Sequence, residues 1–123
     1  MSYINHLIAG VPYGRFKRRG NIAAPAAWSE KIVQQTHDLP KVKQACVLKV
    51  TFLLPPDKYP TDLPYGPDLD NLLKRLLDAL KRTIFSETQG QDSCVVLLHV
   101  MKTKVASEAK AGVHIEVLPI SVT

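Results

Sequence analysis

The stretch Pro67-Asp68-Leu69-Asp70-Asn71-Leu72-Leu73-Lys74-Arg75-Leu76-Leu77-Asp78-Ala79-Leu80 decides how the chain is read. Leu69, Leu72, Leu73, Leu76, Leu77 and Leu80 recur at three- and four-residue intervals, while Asn71, Lys74, Arg75, Asp78 and Lys81 fall off that stripe. This is an amphipathic helix with one face in a core. Asp68 falls near its N-cap and Asp70 in its first turn, so the two carboxylates can converge at a rigid helix start while the leucines point inward. Acids there have a structural explanation, since each stabilises the helix macrodipole by about 0.3 to 1 kcal/mol. They also have a chemical one, because magnesium takes oxygen ligands, keeps several waters and bridges to phosphate. Lys74, four residues after Asp70, shares its face and can reach both the carboxylates and a bound phosphate.

Working outward, residues 2–9 alternate loosely and stop at Gly10, which predicts a strand closed by a turn. The segment YGRFKRRGN that follows has no helical or strand period and reads as a basic loop carrying Arg15, Lys17, Arg18 and Arg19. Pro25 suits a helix start, and the Trp28 and Ile32 pair predicts a helix running to about residue 36. Residues 42–54 place Cys46, Leu48, Val50 and Phe52 on one face and Lys49 and Thr51 on the other, the period of a half-buried strand. The proline-rich PPDKYPTDLPYGP is a rigid loop delivering the chain to the leucine helix. After the polar SETQGQD come two strands, over residues 94–101 and 113–118, which could pair as a hairpin. The order strand, helix, strand, helix, strand, strand predicts an α+β fold, a single compact domain over residues 1–123 with a four-stranded sheet and two main helices.

Composition bounds the function. A chain of 123 residues with 46% hydrophobic content builds one modest core without disulfide or zinc support. Its formal charge of +5 favours a polyanionic partner. Cys46 and Cys94 lie in apolar runs and read as core residues, and His6, His37, His99 and His114 are scattered singly, so no zinc spacing exists. No cleavable leader pattern and no apolar stretch of membrane-spanning length is present, which predicts a cytoplasmic protein with no membrane partner. Tyr13 and Phe16 interleave with the basic cluster as candidate stacking groups, and Lys102, Lys104 and Lys110 form a second candidate phosphate-contacting set.

Taken together, PDLDNLLKRLLDAL resembles the D-x-D-N-x-x-K signature and D-A-L helix end of the RusA-like family of Holliday junction resolvases, and QDSCVV after it extends the likeness. The order of parts agrees: a first strand ending in GVPYGRFKR, a Trp-bearing helix, an apolar strand, the acidic helix, then a strand carrying Lys102. The resemblance covers most of the chain in outline and is sharpest over residues 68–80. It implies a RusA-like mixed sheet, and it implies that Asp68, Asp70 and Asp92 bind Mg2+, with Mn2+ as a substitute, while Lys74 assists at the phosphate. It further implies a homodimer that acts on branched DNA, particularly four-way junctions, by paired strand nicking. Such a protein has no small-molecule substrate. The physical chemistry is consistent: a metal held by carboxylates lowers the pKa of a bound water and neutralises developing charge, and Lys74 adds positive charge where negative charge builds up.

The chain departs from the family pattern at one point. Where relatives place two adjacent acids before the penultimate strand, this chain has Gln91-Asp92, with Glu87 in the preceding loop as a candidate replacement. Two rivals share the same residues: a catalytically weak protein of this fold that binds branched DNA, and a metal nuclease acting on another nucleic-acid structure.

Overall fold

The computed structural model describes residues 3–14, 23–58 and 66–121. Its elements follow the expected order: β1 (Ile4–Ala9), α1 (Ala24–Thr36), β2 (Cys46–Leu54), α2 (Leu69–Leu80), β3 (Val95–Lys104) and β4 (Gly112–Pro119). The strand expected over 42–54 begins at Cys46, and the one expected from 94 begins at Val95, because residues 91–94 form a 3₁₀ turn. Together they make one α+β domain with a mixed four-stranded sheet.

The sheet order is β1-β4-β2-β3. β4 is antiparallel to both β1 and β2, whereas β3 runs parallel to β2. The hairpin expected between the last two strands therefore does not form. The reason lies in α2: a parallel pair needs a long crossover, and β2, α2 and β3 make that unit. With β3 occupying one side of β2, β4 takes the other. Burial agrees, since Val113, Ile115 and Val117 of β4 are fully buried and suit a central strand, while Val96, Leu97, Leu98 and Met101 leave β3 largely exposed at the edge.

Alternation does the rest. Cys46, Leu48, Val50, Phe52 and Leu54 of β2 face inward, in register with Val117, Ile115 and Val113 of β4, and join Trp28 and Ile32 of α1 and Leu72, Leu76 and Leu80 of α2 in one core. Both helices thus cover the same face of the sheet. The hydroxyls of Thr36 and Thr83, buried in that core, satisfy each other at 2.8 Å. No helix among the described residues is long and apolar enough to cross a membrane.

Candidate active site

The start of α2 carries the first two candidate ligands as the residue pattern predicts. Asp68 is the N-cap, with extended backbone at φ −66° and ψ 139°, and Asp70 lies in the first turn. The Asp68 carbonyl accepts the Leu72 N–H at 3.1 Å, which closes the first helical turn. Its carboxylate makes no capping hydrogen bond, unlike most aspartates at this position. Asp70 Oδ1 accepts the Asn71 N–H at 3.0 Å, and both acids are exposed. Carboxylate oxygens exposed at a helix N-terminus suit a hard divalent cation. Lys74 is exposed one turn below Asp70.

Asp92 sits elsewhere. It is part of the turn over 91–94, half-buried, with Oδ2 3.9 Å from the ammonium of Lys81, which also holds Asp78 at 3.3 Å. Lys81 caps the C-terminal end of α2. At 1.5 Å per residue, the eleven steps from Asp70 to Lys81 span about 16 Å along the helix. β3 gives the same answer, because Val95 at its beginning pairs with Cys46 while Lys102 near its end reaches the loop that precedes α2. Asp92 and the Asp68 and Asp70 pair therefore lie at opposite ends of the domain, and among the described residues no three His, Cys, Asp or Glu side chains gather into a cation site. Glu87 does not fill the gap: it pairs with Lys43 at 3.4 Å, away from the start of α2.

The two thiols are a core pair beside the Asp92 turn. Burial, reinforced by Cys94, pushes Cys46 up to about 12, and burial raises Cys94 as well. Both stay protonated at neutral pH, as thiols packed in a core do.

The basic segment holding Arg15, Lys17, Arg18 and Arg19 lies outside the described residues, but its root does not. At Gly14 an added Cβ would come within 2.9 Å of the Asn71 Cβ, so the chain crosses the first turn of α2 at glycine contact. Arg75 fastens this crossing. Its Nε donates to the Gly14 carbonyl, while Nη1 donates to Ser29 Oγ at 2.8 Å and to the Pro25 carbonyl at 3.2 Å. The basic segment thus springs from the helix that carries Asp68 and Asp70. Arg75 was visible in the pattern only as a residue off the leucine stripe, because its partners are 46 to 61 positions away in the chain.

The second basic set divides. Lys104 and Lys110 are exposed. Lys102 is half-buried, and its ammonium donates to the Pro67 carbonyl at 2.9 Å, one residue before the Asp68 N-cap.

Comparison with known proteins supplies the context for this arrangement. No curated protein matches the chain. A family model described as endodeoxyribonuclease RusA matches residues 19–118, a span that takes in α1, α2, the turn of Asp92 and all of β3. By that match over most of its length, the chain belongs to the RusA family of endodeoxyribonucleases.

Proposed function

We propose that this protein is a homodimeric, Mg2+-dependent endonuclease that nicks four-way DNA junctions, and that each active site joins Asp68 and Asp70 of one protomer to Asp92 of the partner subunit. The observation that carries the reading is the division of the candidate ligands between the two ends of α2. One chain holds two of the three ligands at one end of α2 and the third at the other, and a two-fold axis can complete two sites at once.

The edge of the sheet supports such an axis. β3 is ten residues long, pairs only with β2 among the described strands, and exposes Val96, Leu97, Leu98 and Met101 at 43% to 56%. A long apolar edge invites another strand. Two copies of β3 related by a two-fold axis run antiparallel. The beginning of one, beside Asp92, then meets the end of the other, beside Lys102, Lys104 and the start of α2, so that acidic and basic ends face each other. Both α2 helices stay on one face of a continuous sheet.

The roles follow from position. Asp68 and Asp70 offer outward carboxylate oxygens, and Asp92 adds the third negative charge. A bound divalent cation would supply an activated water and charge neutralisation at phosphorus. Lys74 contributes an ammonium at the same helix face, where negative charge on phosphate oxygens grows. Arg15, Lys17, Arg18 and Arg19 supply phosphate contacts that carry position and little sequence information.

Mixing two inactive variants tests the shared site. Asp70→Asn and Asp92→Asn homodimers should each fail to cut a four-way junction. In a mixed dimer, the Asp70 of one chain and the Asp92 of the other remain together, so one intact site forms and single nicks appear. If each chain used its own three acids, every site in the mixture would lack one, and no cleavage would return.

A further inference from the structure

From the contact between β3 and the loop before α2 we infer that Lys102 is a positioning residue for the cation site, holding the Asp68 turn in place from the neighbouring strand, and is not a phosphate contact. This rests on the reading of the α2 start as a cation site.

Lys102 stands beside Phe52 in the sheet register, and Phe52 is completely buried. It therefore occupies the rim of the core, where a lysine stem covers apolar surface and its ammonium turns to a polar group. That group is the Pro67 carbonyl, at 2.9 Å. The Pro67 carbonyl lies before the hydrogen-bond pattern of α2, which begins at the Asp68 carbonyl, and Lys102 supplies its donor from the neighbouring strand. The peptide joining Pro67 to Asp68 sets where the Asp68 side chain projects. The backbone is held from two sides: by Lys102 on the preceding carbonyl and by the Leu72 N–H on the Asp68 carbonyl.

Position and charge make opposite predictions, which renders the idea decidable. An ammonium at the turn that carries Asp68 repels a cation, so deleting it should by Coulomb's law alone tighten metal binding. If Lys102 acts by holding the turn, deleting it should weaken metal binding instead. Groups that orient metal ligands in this indirect way typically account for about ten- to a hundredfold in affinity.

The experiment uses calorimetric titration of the DNA-free protein with manganese chloride, together with amide hydrogen exchange and junction binding in EDTA. Lys102→Met should weaken manganese binding about tenfold, and exchange at the Leu72 amide should quicken as the first turn loosens. Lys102→Arg, which keeps a cationic donor, should recover most of both. The salt slope of junction binding should be unchanged in Lys102→Met. Tighter or unaltered manganese binding, an unaltered Leu72 exchange rate, or a salt slope reduced by about one unit would each overturn the inference. Wild-type protein that takes up no manganese would sink the metal reading itself, and the Leu72 exchange rate alone would then decide whether Lys102 holds this turn.

Discussion

In the proposed shared site, single residues around Asp92 should set how strongly a cation is drawn. Gln91 adopts a left-handed backbone, φ 53°, directly after Gly90 at φ 77°. Aspartate tolerates this region better than glutamine does, because its short side chain can hydrogen-bond locally. Gln91→Asp should therefore fold normally and restore a second charge beside Asp92, lowering the magnesium concentration needed for half-maximal cleavage at fixed ionic strength. A magnesium titration that shows no shift, or a shift upward, would mean that position 91 faces away from the cation. Cys46 offers a separate test through pH. Its folded-state value, about 12, stands above the ordinary 9.0. The folded protein thus keeps a proton that the unfolded chain has lost, and this contribution to stability is whole below pH 9 and disappears as pH climbs toward 12. Between those limits the loss is at most about 1.4 kcal/mol per pH unit. Cys46→Ala should flatten the alkaline limb of a denaturation series recorded between pH 8.5 and 11, even if the lost methylene-sized volume lowers stability at every pH.

At the scale of elements, α2 organises the molecule, since it carries two candidate ligands at one end, Lys81 against Asp92 at the other, and Arg75 on the root of the basic segment between them. Replacing Arg15, Lys17 and Arg19 together by alanine should weaken binding to every DNA structure and reduce the salt slope by roughly two to three units. A slope that stays constant would put the phosphate contacts elsewhere, with Lys104 and Lys110 as the next candidates. How much could be read beforehand follows from range. α2, its N-cap Asp68 and first-turn Asp70 are legible because periodicity and capping involve neighbours within one or two turns. The pairing of β4 with β1 and β2 is not, because strand order depends on contacts between residues such as Ile8 and Val113, over a hundred positions apart. The same limit hides the location of Asp92: its residue type marks it, but only the parallel crossover from β2 to β3 sends it to the far end of α2. Lys102 illustrates the point most sharply, since its contact with the Pro67 carbonyl joins residues 35 positions apart, which no local pattern shows.

For the molecule as a whole, the proposed dimer makes the exposed side of β3 the test of assembly and chemistry together. Leu98→Lys places a charge on that edge at a residue the isolated domain leaves 43% exposed, so the fold should survive while the dimer does not. Sedimentation equilibrium should find a dimer for the wild type and a monomer for the variant, and junction nicking should vanish with the dimer. A wild-type protein that is monomeric at concentrations where it cuts would refute the shared site. The order β1-β4-β2-β3 has one more consequence. β4 is the last of these strands to be synthesised, yet it lies between the first two. As the chain leaves the ribosome, β1 has no neighbour to bond and β2 keeps one flank bare until residues 112–119 emerge. Up to that moment the core lacks Val113, Ile115 and Val117 and stays open in the middle of the sheet. A message truncated ahead of this strand would yield a product for proteases and chaperones to clear.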